Sequence, residues 1–279
     1  MKLRIALLWN YGGANEIYPH WRDGLRKAID IIGVDNDVDI YCGKYAYRLE
    51  GEYDFLLFWT DSTDPFLSHY DLPTRKGIVL TTDPVNFDNL RKMDVVYCES
   101  LPVFNAVRRQ GIHAIKAFGT DTEFYHQIST ERGMDGRDDP PKDIPFFYPA
   151  TFSPWKRQSQ IAYLGKDLTC VGTIQPDGVE EFEACKEKGV NLEVGYFPPE
   201  KIRDYYRRAE KVLIPAVHGS ERTCLEAMSM GIVPAVNPAN VRTLSYVREW
   251  EASGLDPRRF VIKNYSAEKY AQQLLKGME

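Results

Sequence analysis

The chain has 279 residues, 43% of them hydrophobic and 13% aromatic, enough apolar material for one large or two medium cores, which excludes a disordered or fibrous protein. A formal net charge of −5 disfavours nucleic acid as a partner, since binding of a phosphate backbone is carried by clustered lysine and arginine. Five cysteines, Cys42, Cys98, Cys170, Cys185 and Cys224, form no C-x-x-C pair and are odd in number, which argues against a complete disulfide framework.

In chain order, "MKLRIALLWN" contains the first buried-strand candidate, residues 3–9; its apolar run is too short for a signal segment, and no later run approaches the ~18 apolar residues of a membrane span. The expectation is a soluble, cytoplasmic protein, with peripheral membrane contact left open. A glycine turn, "YGGANE", follows, and then "HWRDGLRKAIDIIG", where Trp21, Leu25, Ile29 and Ile32 recur at helical spacing before Gly33. "VDIYCG", "YDFLLFWT", "GIVLTTD" and "DVVYCES" read as further strands, the last leading into the helix candidate "LPVFNAVRRQG". Continuous apolar strands alternating with helices describe a parallel sheet with crossover helices.

Residues 120–145, rich in Asp, Gly, Pro and Arg, read as a linker or a long surface loop. The alternation then restarts with "IPFFYPATF", a helix candidate from Lys156, "LTCVGTI", "GVEEFEACKEKG", "NLEVGYF", "PPEKIRDYYRRAE", "KVLIPAV" and "IVPAVNP", so a second α/β unit is predicted. The predicted domains are 1–140 and 141–265, both Rossmann-like. The tail 266–279 is a terminal amphipathic helix, with Ser266 as N-cap and Ala267, Tyr270 and Leu274 on one face, and is expected to pack back on the first domain. Arg203, Arg207, Arg208 and Lys211 read as one solvated basic helix face.

Between the last two strands lies "HGSERTCLEAMSMG", residues 218–231. It reads as a helix starting at Gly219 or Ser220 and stopped by Gly231, with Cys224, Leu225 and Met228 as a buried stripe and Thr223 and Glu226 on another face. A strand feeds directly into it, and the crevice at strand ends is where open parallel sheets bind ligands. The helix N-terminus offers unpaired N–H groups suited to a diphosphate. Glu226 lies too deep for that anion and suits neutral hydroxyls such as those of a ribose; it equally reads as an exposed carboxylate or an ion pair with Arg222, four residues earlier.

This stretch resembles the turn and helix E-G-(F)-G-x-(T/S)-x-x-E-A-(M)-(A/S)-x-G of the retaining glycosyltransferases of family GT4, matching at Gly219, Thr223, Leu225, Glu226, Ala227, Met228, Ser229 and Gly231. Further similarities fall in the family's order. "YGGANE" sits at the first domain's glycine loop, "AFGTDTEFY" is similar to the turn ending that domain, and "ATFSPWKRQ" to the element opening the second. "VGYFPPEKIRDYYRRAEKVLIPA" is similar to the segment before the motif.

The resemblance implies an α/β fold of two Rossmann-like domains facing a cleft, the GT-B fold, and metal-independent transfer of a sugar, with retention, from a nucleotide diphosphate sugar such as a UDP- or GDP-sugar to a carbohydrate or other hydroxyl acceptor. No cofactor is implied. Glu226 would hold the donor ribose; Lys156 and the N–H groups of Thr223, Cys224 and Leu225 would hold the diphosphate, beside Gly219. Gly12 and Gly13 would allow close approach of donor or acceptor.

Two positions depart from the family pattern. His218 stands where an acidic residue contacts the transferred sugar, and is either a donor-site residue or a structural turn histidine. Thr151 stands where an arginine is usual, with Arg157 as the nearest replacement. Asp83 ends a first-domain strand where relatives carry a His-Asp pair, and with His218 it is the candidate for a catalytic role. The five histidines are too dispersed to suggest a metal cluster. A nucleotide-sugar epimerase or hydrolase on the same fold, or a non-catalytic nucleotide-sugar-binding protein, are the alternative functions.

Overall fold

The computed structural model describes residues 2–9, 24–42, 49, 51–63, 72–80, 82–127 and 140–279. The chain divides into two compact units, one formed by Met1–Gly119 with Tyr265–Glu279 and the other by Thr120–Asn264.

The first unit holds β1 (Arg4–Trp9), α1 (Gly24–Ile32), β2 (Asp37–Cys42), β3 (Phe55–Thr60), β4 (Arg75–Leu80), α2 (Phe87–Arg91), β5 (Val95–Cys98), α3 (Leu101–Arg109) and β6 (Ala114–Lys116). All its strand pairs are parallel, in the order β2-β1-β3-β4-β5-β6. Apolar residues run continuously along the central strands because both faces of the sheet are buried. Ile5, Leu7, Phe55, Leu57, Val79 and Tyr97 pack with Leu25 and Ile29 of α1 on one face. Their alternates Ala6, Leu8, Leu56, Phe58, Ile78 and Val96 pack with Leu90, Val103 and Val107 on the other.

The carboxy-terminal helix, α9 (Ala267–Met278), belongs to this unit. The Ser266 side chain caps it, accepting from the Lys269 N–H at 3.4 Å, and Tyr270, Ala271 and Leu274 join the α1 face of the core. The Tyr97 hydroxyl, buried in that core, donates to the Leu274 carbonyl at 2.7 Å.

The second unit holds β7 (Ile144–Pro149), a 3-10 segment (Gln158–Asp167), β8 (Leu168–Gly172), α4 (Val179–Glu187), β9 (Asn191–Val194), α5 (Pro199–Arg208), β10 (Ala209–Ile214), α6 (Glu221–Ser229), β11 (Ala235–Val236), α7 (Val241–Ser253) and α8 (Pro257–Tyr265). Its strands are also parallel, in the order β11-β10-β7-β8-β9.

Three sequence expectations are corrected. Residues 120–127 are not a linker: Asp121, Thr122, Phe124 and Tyr125 are buried in the second unit. Arg258 donates to the Tyr125 and Thr122 carbonyls, and the Ser229 hydroxyl donates to the Tyr125 carbonyl at 2.6 Å. The second unit therefore begins at Thr120 rather than near residue 141; the rest of the supposed linker, residues 128–139, lies outside the described residues. The α-helix expected from Lys156 is a 3-10 segment, preceded by Arg157 in the left-handed region at φ 55°.

The basic run is not one solvated face. Arg207 is buried and donates to the His126 carbonyl, Arg208 makes two hydrogen bonds to Asp143, and the Arg203 guanidinium lies over the Phe124 ring. These side chains are engaged within the second unit. Among the described residues no helix is long and apolar enough to cross a membrane.

Candidate functional site

In the second sheet the chain runs from β7 outward through β8 and β9, then returns to the other side of β7 to form β10. The loops leaving the carboxyl ends of β7 and β10 therefore part in opposite directions, and such a switch point is where open parallel sheets form a ligand crevice. The loop after β7 carries Thr151, Lys156 and Arg157; the loop after β10 carries His218 and Gly219 and enters α6. The Val217 N–H donates to the Trp155 carbonyl at 3.0 Å, tying the two loops together.

The turn into α6 uses two consecutive left-handed residues, Gly219 at φ 69° and Ser220 at φ 73°. A non-glycine residue held there costs on the order of 1–2 kcal/mol, so surrounding bonds must over-determine it. They come from α7: Asn240 Nδ2 and Thr243 Oγ1 each donate to the Gly219 carbonyl at 2.8 Å. Asn240 in turn caps α7, its Oδ1 accepting from the Thr243 N–H at 3.1 Å. Glycine at 219 also leaves room for the lysine, since a Cβ there would stand 2.9 Å from Lys156 Nζ. That close approach lets the ammonium donate to Ser220 Oγ at 3.0 Å and to the His218 carbonyl at 3.5 Å.

Burial lowers the Lys156 pKa to about 8; Glu221 acts to raise it, while Arg222 and Arg242 push it down. The side chain is a preplaced cation whose charge the fold already opposes, so a bound anion would hold the proton on it.

Helix α6 starts at Glu221 and ends at Ser229, with Gly231 at φ 78° beyond it, as the motif predicts. Its amphipathic stripe is wider than predicted: every helical residue except Arg222 is buried. The N–H groups open to an anion also differ from those expected. Cys224 N–H is bonded to the Ser220 carbonyl at 3.0 Å and Leu225 N–H lies inside the helix ladder, so Glu221, Arg222 and Thr223 supply the first-turn donors without an intrahelical acceptor. Cys224 and Leu225 are core residues; burial pushes the Cys224 thiol pKa up, and its Sγ lies 3.8 Å from Met228 Sδ.

Glu226 is 4% exposed. Tyr206 of α5 donates its hydroxyl to Oε2 at 3.0 Å, and Arg222 Nε lies 3.4 Å from Oε1. The ion pair between Arg222 and Glu226 is thus present. Thr223 Oγ1 donates to the Pro149 carbonyl at 3.4 Å, at the end of β7. Thr151 is half-buried with its hydroxyl 3.1 Å from that of Thr173, linking the loops after β7 and β8. Arg157 is half-exposed and His218 exposed.

The structure therefore gathers Lys156, His218, Gly219 and the first turn of α6 at one switch point, with Glu226 two turns into the helix. Asp83 belongs to the first unit, exposed in the segment after β4, and Gly12 and Gly13 lie outside the described residues. Sequence reasoning missed Asn240, Thr243, Tyr206 and the pair of Arg242 with Glu221. Asn240 and Thr243 had a readable signal, an Asn N-cap three residues ahead of Thr; Tyr206 and Arg242 had none, because their partners are distant in sequence. Among the described residues no group of three or more His, Cys, Asp or Glu is arranged to hold a metal ion.

No protein-family model matches the chain, and no curated protein matches it by sequence. Solved structures do match. AviGT4, a glycosyltransferase involved in avilamycin A biosynthesis, superposes with a TM-score of 0.64 at 15% identity, over 99% of this chain and 97% of that one. Alr3699/HepE from Anabaena, solved with UDP and glucose, gives 0.64 at 13% identity over 98% of each chain. The catalytic domain of starch synthase IV from Arabidopsis thaliana, bound to ADP and acarbose, gives 0.62 at 10% identity over 100% of this chain and 99% of that one. The chain thus has the α/β fold with two parallel sheets of the GT-B glycosyltransferases.

Proposed function

We propose that the protein is a GT4-like retaining glycosyltransferase that moves a sugar from a nucleotide diphosphate sugar to a carbohydrate or other hydroxyl acceptor without a metal ion. The observation that carries this reading is the convergence of the Lys156 ammonium and the first-turn N–H groups of α6 at the switch point of the second sheet. A departing nucleoside diphosphate gains negative charge as the bond from the anomeric carbon to phosphate oxygen breaks, and fixed donors aimed at it stabilise that charge. The structures of the same fold that hold UDP with glucose and ADP with acarbose support the same substrate class.

In this reading Glu226 accepts from the ribose hydroxyls, Gly219 and Thr151 border the diphosphate, and Arg157 lies beside the loop that carries Lys156. His218, exposed at the same turn, is the candidate to contact a hydroxyl of the transferred sugar. We assign the acceptor to the first unit, where Asp83 is the candidate for a catalytic role.

The ribose assignment is tested by Glu226→Gln. Alanine would leave the buried Tyr206 hydroxyl with only a 3.5 Å contact to the Thr223 carbonyl, a penalty of about 1–3 kcal/mol to the fold. Glutamine keeps the Tyr206 bond and removes only the charge. Affinity for a nucleotide diphosphate sugar, measured by calorimetry, is expected to fall about 5- to 20-fold, the loss for weakening charge-assisted bonds to two hydroxyls. Equal affinity in a variant that melts like the wild type would retire Glu226 as the ribose ligand.

A further inference from the structure

Glu221 places a carboxylate at the first position of α6, the end of the helix at which the proposed diphosphate would bind. The residue is 5% exposed, and its Oε1 lies 2.6 Å from Arg242 Nε, itself on a residue 6% exposed. A buried carboxylate in a helix's first turn is favourable to the fold, since it faces the positive end of the helix dipole. It is unfavourable to a second anion arriving at the same end.

Among the described residues, Glu221, Arg222 and Arg242 are the charged groups that act on Lys156, and Arg222 is paired in turn with Glu226. Arg222 is matched by Glu226 and Arg242 by Glu221, so the surplus is one positive charge, that of Lys156. The helix end adds about half a charge. An intact nucleotide diphosphate sugar carries about two negative charges, whereas the nucleoside diphosphate left after transfer carries about three, one phosphate having gained a second ionisation. The site falls short of the first anion by about half a charge and of the second by about one and a half.

Resting on the donor-site reading above, we infer that Glu221 is a specificity-determining counter-anion. It neutralises Arg242, weakens binding of the nucleoside diphosphate product more than that of the intact donor, and so favours product release. Arg242 is its positioning partner: it holds the carboxylate at the helix end.

The inference is tested on the full chain with Glu221→Gln, measuring affinities for UDP, GDP and ADP and for the corresponding glucose conjugates by calorimetry. Removing one negative charge within a few ångströms of the ligand, at the screening typical of a protein surface, is expected to tighten the nucleoside diphosphate about tenfold and the sugar conjugate about threefold. The ratio of the two affinities is the readout that a merely structural role would not move. Because Glu221→Gln leaves Arg242 buried without its counter-charge and could unfold, Arg242→Gln and the double variant Glu221→Gln/Arg242→Gln form a second comparison. The double variant, lacking the carboxylate, is expected to bind the nucleoside diphosphate about tenfold tighter than Arg242→Gln alone.

If the wild type binds a nucleotide and removal of Glu221 changes neither affinity nor ratio in either comparison, the counter-anion role is overturned while the donor site stands. If no nucleotide binds the wild type or any variant, the donor site itself fails, and this inference with it.

Discussion

Lys156→Met should bind nucleoside diphosphates and their sugar conjugates about 30- to 100-fold more weakly than the wild type, the loss of roughly 2–3 kcal/mol expected when a charge-assisted contact to phosphate is removed. The fold should not suffer. Burial lowers the Lys156 pKa from 10.5 in a free side chain to about 8 in the folded protein. The unfolded chain therefore holds this proton more tightly than the native one, so the ammonium opposes folding at pH 7, and that opposition relaxes as pH rises from 8 to 10.5. A methionine of similar length removes the anion contact and the buried charge together.

The same shift gives the site a pH dependence. An anion stabilises the protonated amine, so the bound state carries more protons than the free one above pH 8. Affinity is expected to be flat below that pH and to fall above it, by up to about tenfold per unit until the pKa of the bound form is reached. Lys156→Arg, which does not titrate in this range, should bind with no such slope. Calorimetric titrations at pH 7, 8 and 9 read all three proteins. A wild-type affinity that rises or stays level to pH 9 would place the anion elsewhere.

Gly178→Ala should cost the second unit about 2–3 kcal/mol, at the upper end of what overpacking a tight interior costs. The backbone at Gly178 is ordinary, with φ −97°; what excludes a side chain is space. A Cβ there would overlap the Phe152 carbonyl, meeting its carbon at 2.5 Å and the Ser153 nitrogen at 3.0 Å. Phe152 has no freedom to yield. Its N–H donates to the Thr173 carbonyl at 2.7 Å, its carbonyl accepts from Gln175, and its buried ring packs edge-on to Phe182 at 5.5 Å.

Residues 150–153 lead directly to Lys156, so a displacement that relieves the overlap carries the lysine with it. Gly178→Ala is expected to lower the melting temperature by about 5–10 °C and, in the protein that remains folded, to weaken nucleotide binding. A melting curve identical to the wild type would mean that this loop is not packed as described.

Much of this organisation could be read from the sequence. The strands of the first unit are visible as continuous apolar runs because both faces of a parallel sheet are buried, and α6 begins and ends at residues whose types announce a helix start and stop. Lys156, His218 and Gly219 were legible as a group through motif order. What escaped the reading depends on partners distant in sequence. Residues 120–127 are mostly polar, and nothing local reveals that Arg258 and Ser229 bind carbonyls among them. Arg207 looks like a surface residue on its own helix until His126 is placed beside it. Glu221 passes for an ordinary first-turn carboxylate, and only Arg242, twenty-one positions on, turns it into a buried ion pair. The 3-10 segment after Arg157 was missed because a helical pattern of residue types does not distinguish a tight helix from an α-helix.

The central claim is that the switch point of the second unit holds a nucleotide diphosphate sugar and that the protein transfers its sugar. It is tested most directly by incubating the full chain with a panel of UDP-, GDP- and ADP-sugars, with and without a set of carbohydrate acceptors, and following nucleoside diphosphate release. The account predicts release from one donor that depends on an acceptor and is lost in Lys156→Met. Release without acceptor would instead indicate a hydrolase, conversion of the sugar without release an epimerase, and binding with neither a non-catalytic binding protein. Failure of every donor to bind would contradict the account at its foundation.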